Sequence, residues 1–329
     1  MSARIPFAGL VFLPLLAGCS SQQSAFHPTG HDAEQINILF WIMTVGGAAI
    51  FALVLVLAAI AIFGPERLRQ RLAGESLINW LGIAFPVVVL TALLVYGFVL
   101  LQAGAPVNAG NTSLRIAVSG EQWWWRVTYR TADGREVEAA NEIHLPVGQP
   151  VTLELTTADV IHSFWAPSIA GKLDMIPGRT NQMTVTATSP GITRGQCAEY
   201  CGGAHAFMAF HVVAQTPEAF EAWLDQESGA ASPPQNASQE RGQNLFLTSG
   251  CGGCHTVRGT GADGKIGPDL THVGGRHSLA AATLPNSAEA FADFIVNNQH
   301  IKPENRMPPY GVFSDEQLDD LAAYLEGLR

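Results

Sequence analysis

Charge is what this chain has least of. Across its 329 residues only 14% are Asp, Glu, Lys or Arg, against roughly 25% in an ordinary soluble domain. The shortage falls on the first hundred residues. No charged residue lies between Ile36 and Phe63, and none between Leu77 and Leu101. Basic residues are scarce throughout, with 18 Lys and Arg against 28 Asp and Glu for a formal charge of −10. That balance excludes a basic patch for nucleic acid. The charge is about zero through residue 110, −6 from there to Glu227 and −4 beyond. An acidic soluble part keeps itself in solution and steers a basic partner in a salt-sensitive way.

Each uncharged run exceeds the roughly 20 residues that cross a ~30 Å hydrocarbon core, so two membrane helices are expected, over about 36–63 and 77–101. The connection GPERLRQRLAGE holds Arg67, Arg69 and Arg71, which the positive-inside rule places in the cytoplasm. Both ends of the hairpin then face outward. Pro86 removes one helix hydrogen bond from the second span, a loss that neighbouring helices can cover. Residues 1–18 have one Arg, a short apolar core and small residues at the end, the form of a secretory signal. They run into Leu16-Ala17-Gly18-Cys19, which resembles the bacterial lipoprotein cleavage box and implies a lipid on Cys19. Ordinary signal cleavage is the alternative.

A chain of this length suggests more than one domain. After the apolar segment 19–109, the runs SLRIAVSG, RVTYRT, PVTLELTTA and NQMTVTAT alternate apolar with polar residues between Gly, Pro, Asp or Asn. They read as half-buried strands of a sandwich or barrel over 110–227. Residues 228–238, SGAASPPQNAS, read as a linker. The tail, 239–329, is helical in pattern, with SAEAFADFIVNN and SDEQLDDLAAYLEGLR each opening on a Ser cap. There is no internal repeat.

Two cysteine motifs carry the chemistry. CGGCH is the attachment signal for a covalent c-type heme, in which Cys251 and Cys254 form thioethers and His255 binds the iron. An electron carrier needs a second axial ligand, where a thioether raises the potential, and the tail's resemblance to small c-type cytochromes implies Met307, the one methionine after Met208, in that place. His272, His277 and His300 are rivals to it, and a redox dithiol or zinc half-site is the alternative use of the cysteines. The tail resembles small class I cytochromes c, in which GPDL, here Gly267 to Leu270, lies beside the proximal histidine. The other motif, GQCAEYCGGAHAFM, gathers two thiols, an imidazole and a thioether between Cys197 and Met208. Such a set suits copper or another soft metal rather than magnesium or calcium. A closed zinc site has no use for Met208, although structural zinc on Cys197, Cys201, His205 and His162 stays open.

The pattern Cys-x-Glu-x-Cys-x-x-x-His-x-x-Met resembles the binuclear CuA site of cytochrome c oxidase subunit II. HSFWAPSIAGKLDMIPGR, which opens on His162 and closes on Arg179, is similar to a second segment of that family, and EQWWWRVTY to a third. The resemblance covers nearly the whole chain and is to the bacterial caa type with a tethered cytochrome. It implies a multidomain chain: a two-helix transmembrane hairpin, an all-β cupredoxin-like barrel and an all-α class I cytochrome c domain. It implies two copper ions bridged by Cys197 and Cys201, with His162 and His205 at the ends, Met208 as a weak ligand and the Glu199 carbonyl opposite it. The Glu199 side chain would contact an interface magnesium. Trp123 would receive electrons; Asp174 and Arg179 would face subunit I near heme a. Glu75, five positions before Trp80, would stand at the mouth of a proton channel, with Glu34 as the other candidate.

The implied function is that of subunit II of a respiratory oxidase in a bacterial inner membrane, with both redox domains on the outer side. It relays electrons through heme c and CuA while subunit I reduces oxygen and pumps protons. Its partners would be subunits I and III and an external donor, such as a cytochrome c or a quinol–cytochrome c oxidoreductase. The alternative is a free-standing membrane-tethered copper and heme carrier or redox sensor. A nitrous-oxide-reducing enzyme would need a large catalytic domain that this chain lacks. On this reading the five cysteines divide into one lipid anchor, two copper thiolates and two thioethers, leaving none for a disulfide.

Overall fold

A computed structural model describes residues 21–104 and 114–329. The signal segment and Cys19 lie outside the described residues. Helix α1 spans His31–Phe63 and α2 spans Glu66–Leu72, which carries the loop arginines. The second span is made of α3 (Glu75–Asn79), a π-helical turn (Trp80–Ala84) and α4 (Phe85–Gly104). Both spans are long and apolar enough to cross a membrane, and large apolar side chains are exposed along each. The first begins at His31 rather than near residue 36, because its opening turn holds Asp32 and Glu34 and stands clear of the apolar stretch. Just ahead of Pro86, the Phe85 N–H reaches back to the Trp80 carbonyl. That five-residue step widens the helix where proline supplies no donor.

The N-terminal segment fastens α1 to the β domain. Thr29 N–H donates to the Ser168 carbonyl at 2.7 Å and His31 N–H to Thr186 at 3.0 Å. Gly30 lies so close to the Ile169 backbone that a Cβ there would collide with it. Glu34, the alternative proton-channel candidate, accepts from the Thr188 hydroxyl at 2.9 Å. It therefore sits at the β-domain end of the hairpin, whereas exposed Glu75 starts the second span at the arginine-loop end.

The β domain has ten strands: β1 (Arg115–Glu121), β2 (Trp124–Arg130), β3 (Glu136–Ala140), β4 (Glu142–Pro146), β5 (Val151–Thr157), β6 (His162–Trp165), β7 (Leu173–Met175), β8 (Asn181–Val185), β9 (Gly191–Cys197) and β10 (Ala209–Gln215). They form two five-stranded sheets, ordered β3-β2-β1-β5-β8 and β4-β10-β9-β6-β7. Burial alternates residue by residue along β1 and β2, as a sandwich inner face requires. Between the sheets Trp125 meets Phe210 and Phe164 edge-on at 5.0 and 6.2 Å. Gly195 makes room for the Phe210 ring, which a Cβ would strike. Helix α5 (Pro217–Ser228), capped by the Thr216 hydroxyl, closes the sandwich with buried Phe220 and Leu224.

Residues 229–236, inside the expected linker, have no helix or strand, yet they are held. Ala231 N–H donates to the Arg258 carbonyl at 2.9 Å, and the Ser232 hydroxyl donates to the Arg329 carbonyl at 2.8 Å. The tail folds around α6 (Ala237–Thr248), α7 (Ala288–Ile301) and α8 (Asp315–Gly327). The expected caps are in place: Ser287 accepts from Ala290 N–H, and Ser314 forms a capping box with Gln317, each worth about 1 kcal/mol. Helices α6 and α8 cross at Gly242, where a Cβ would run into the Asp320 carbonyl. Beside the crossing, Arg241 holds Asp320 through two hydrogen bonds at 2.7 and 2.8 Å. Replacing Gly242 by Ala is expected to cost ~1–3 kcal/mol through overpacking, read from denaturant unfolding of the intact chain. A change below ~0.5 kcal/mol, the range of a neutral surface substitution, would mean that the helices part freely.

Candidate functional site

Strand β9 ends at Cys197 and β10 starts at Ala209, so the eleven residues between them form one loop, clasped at its neck by Cys197 N–H donating to the Met208 carbonyl at 2.8 Å. A 3-10 turn over His205–Phe207 folds the far side back. Gly202 has φ +114°, and a Cβ there would come within 2.9 Å of the Trp123 ring. The loop can therefore turn inward only with glycine at this point. His162 opens β6, whose Phe164 pairs with Cys197 across the sheet.

Five of the six sequence-expected ligand residues converge through their side chains. The two sulfurs lie 3.8 Å apart, far beyond the ~2.05 Å of a disulfide. Cys197 Sγ is 3.7 Å from His162 Nδ1, and Cys201 Sγ is 3.4 Å from His205 Nδ1 and 3.8 Å from Met208 Sδ. The sixth, Glu199, offers its backbone, with its carbonyl 3.2 Å from Cys197 Sγ. His162, Cys197, Cys201 and Met208 are buried, and the ligand atoms of the first three lie within 4.8 Å of one another. This donor set fits copper or another soft metal. A hydrogen bond from the Cys201 thiol holds Cys197 down to about 4, with burial opposing and His162 assisting. Cys201 is raised in turn by its hydrogen bond to Cys197 and by burial.

Support behind the ligands escaped the sequence reading. Asp159 accepts from the Gln122 N–H at 2.7 Å and lies 2.9 Å from His162 Nε2, which turns Nδ1 toward the sulfurs. Burial works against a charged His162, but Cys197 and Asp159 together raise it. Gly120 packs on the His162 ring, and a Cβ there would approach it to 2.7 Å. The Cys201 carbonyl accepts from the Gln122 side chain at 2.8 Å and from the Trp123 indole at 3.0 Å. Of the three tryptophans, Trp125 is core and Trp123 is buried against the loop, as strand alternation requires. Asp174 lies half-buried on β7 and Arg179 is exposed, closing a turn through Gly178 at φ +75°.

In the tail, the 3-10 turn Cys251–Gly253 follows Gly250 at φ +85° and points both thiols toward one cavity. His255 Nδ1 lies 2.8 Å from the Pro268 carbonyl, the second residue of GPDL. That fixes Nδ1 as the donor and leaves Nε2 with its lone pair. Burial lowers the His255 pKa, keeping the ring neutral as iron ligation needs. A Cβ on Gly267 would meet the ring at 2.6 Å. Met307 lines the same cavity, whereas His272, His277 and His300 do not. His272 is buried elsewhere, His277 N–H donates to Glu142 at 2.6 Å, and His300 is exposed.

The cavity does not belong to the tail alone. Glu121, Trp123 and Trp124 of the β domain line one wall of it. The two domains are pinned together by Ala209 N–H to the Ala281 carbonyl at 3.2 Å, the Thr283 hydroxyl to Phe207 at 3.3 Å and Arg126 to the Lys265 carbonyl at 2.8 Å. Trp123 thus bonds the loop through its indole N–H and also lines the cavity of the tail.

Fold and site define a membrane-anchored, cupredoxin-like electron-transfer domain with a helical cytochrome c behind it. The family model described as cytochrome c oxidase subunit II, periplasmic domain, matches residues 126–215, and the cytochrome c model matches residues 239–329. Cytochrome c oxidase subunit 2 of Alkalihalophilus pseudofirmus is 31% identical, over 98% of this chain and 96% of that one. The same subunit of Bacillus subtilis is 26% identical, over 97% and 96%. Among solved structures, the periplasmic domain of subunit II of cytochrome oxidase (CoxB) of Bradyrhizobium japonicum is 32% identical, covering 36% of this chain and 94% of that one at a TM-score of 0.33. The chain belongs to the cytochrome c oxidase subunit 2 family, with a cytochrome c domain fused to it. Replacing Asp159 by Asn is expected to weaken copper binding about 10- to 100-fold, the usual effect of losing a group that orients a ligand. Chelator competition measures it, and unchanged affinity would mean that Asp159 does not set the His162 ring.

Proposed function

We propose that this oxidase subunit takes electrons from an external donor at a heme c and delivers them through a binuclear copper centre to heme a of subunit I. The observation that supports this most is the cavity that holds Cys251, Cys254, His255 and Met307 and is walled by Trp123, whose indole bonds the Cys201 carbonyl. Cys251 and Cys254 would hold the heme through thioethers, and His255 and Met307 would bind its iron. A heme so bound supplies a one-electron iron couple whose potential the methionine raises.

At the loop, Cys197, Cys201, His162, His205, Met208 and the Glu199 carbonyl would hold a pair of copper ions. Such a pair supplies an electron store spread over two metals and two sulfurs, with little change in any one bond. The chain's part is to keep those bonds from moving. Asp159 fixes His162, the Met208 carbonyl clasps Cys197, and Gln122 with Trp123 fixes Cys201. Pre-set geometry of this kind lowers reorganisation. Trp123 would be where electrons cross between the domains. Asp174 and Arg179 would face subunit I, the exposed Glu199 carboxylate would reach an interface magnesium, and Glu75 would open a proton channel.

Subunits I and III would complete the oxidase in a bacterial inner membrane, where subunit I reduces oxygen to water and pumps protons. Cys19, outside the described residues, would carry a lipid. Fusion replaces a diffusional encounter with a fixed neighbour. Copurification with a many-helix, heme-bearing subunit separates this reading from a free-standing carrier. Replacing Cys201 by Ser is expected to empty the copper site, erase its electron paramagnetic resonance signal and stop oxygen uptake, with the covalent heme still present in the pyridine hemochrome spectrum. Full oxygen uptake by that variant, or zinc in place of copper in the parent chain, overturns the proposal.

A further inference from the structure

Lys302 is one of three lysines in the chain, and it is buried, with 4% of its surface exposed. It follows α7, lines the heme cavity, and spends one ammonium N–H on the Ala280 carbonyl at 3.0 Å. An ammonium has two further N–H groups to place. Among the described residues lining the cavity, Glu121 is the one carboxylate, and it is taken by Arg126 at 2.7 Å. The other cations there, Arg276 and Arg306, are no partners, and Arg276 already donates to the Asp269 carbonyl at 2.5 Å. A buried cation without an anion is unfavourable. Burial pulls Lys302 to about 7. A heme carries two carboxylates, and it is the group this cavity fits that can bring an anion to the site.

The acceptor of Lys302 is itself unusual. Ala280, Ala281 and Ala282 have φ of +53°, +62° and +58°, a left-handed run that L-residues avoid and that persists only where surroundings enforce it. The Leu279–Leu284 bridge closes the turn. Its middle carbonyl, Ala281, takes the Ala209 N–H, one residue after Met208, and Thr283 reaches the Phe207 carbonyl. Two residues after Lys302, the Glu304 carboxylate sits against Gly203 of the copper loop. Lys302 therefore stands where heme cavity, alanine turn and copper loop meet.

Resting on the heme assignment above, we propose that Lys302 is a positioning residue for electron transfer within the chain. Its ammonium pairs with a heme carboxylate and, through the Ala280 carbonyl, holds the alanine turn against the backbone beside Met208. Seating of the heme is thereby tied to the shape of the copper loop.

The test uses the full chain in its oxidase, with Lys302→Met and Lys302→Arg. The pyridine hemochrome spectrum first establishes covalent heme in the parent, and its absence there would sink the heme assignment rather than the role of Lys302. In Lys302→Met the heme is expected to stay attached, its midpoint potential to fall, and that potential to gain a pH-dependent step near neutrality as the unpaired carboxylate takes up a proton on reduction. Heme-to-copper transfer after flash reduction should slow about tenfold, as small misplacements do, and Lys302→Arg should restore potential and rate. A Lys302→Met chain with the parent's potential, pH profile and transfer rate overturns the proposal. If Lys302→Met fails to assemble, Lys302→Arg decides: parental potential and rate uphold the pairing, and loss of both refutes it.

Discussion

The Cys201 carbonyl accepts two hydrogen bonds, from Gln122 and from Trp123, and on that pair the rest of the molecule turns. The residue presents sulfur to one side and oxygen to the other, so whatever orients the oxygen also aims the thiol. Gln122 is anchored by its own N–H to Asp159, and Asp159 holds His162. One connected set of bonds thus fixes a thiol and an imidazole from loops far apart in sequence. The same Trp123 walls the cavity that gathers Cys251, Cys254, His255 and Met307. Buried networks that are fully satisfied rigidify a site, and here rigidity is what cheap electron transfer needs.

The sequence was most legible where bonding chemistry dictates residue type. A thioether needs cysteine and a soft metal needs sulfur, so CGGCH and the Cys197–Met208 stretch announced themselves, and the structure gathers each set in one place. The uncharged runs and the Ser-capped helices were equally plain, since lipid and helix ends impose composition. The four alternating runs noticed in the β domain correspond to β1, β2, β5 and β8, all in one sheet. Strands of the other sheet are quieter. β4 is buried along its whole length and β10 along most of it, because α5 and the cytochrome cover their outer face. A strand covered on both sides loses its period-two signature.

Support groups were not legible either, for a different reason. Asp159 lies three residues from His162 and nothing in ADVIHS marks it. Gly120 is one glycine among 33. The alanine turn is less visible still, since alanine favours right-handed helix and only contacts from Lys302, Phe207 and Ala209 explain a left-handed run. That Met307 shares a cavity with Cys251, Cys254 and His255 while the three rival histidines do not is a non-local fact.

At the other end of the β domain, Gly30 is wedged against the Ile169 backbone while Thr29, His31 and Glu34 bond to the segments around it. A joint with three backbone or side-chain ties and no clearance for even a methyl group behaves as a weld. The copper loop is thereby coupled to the membrane span through a stiff joint, so that bending of the outer part against the helix is opposed at this point.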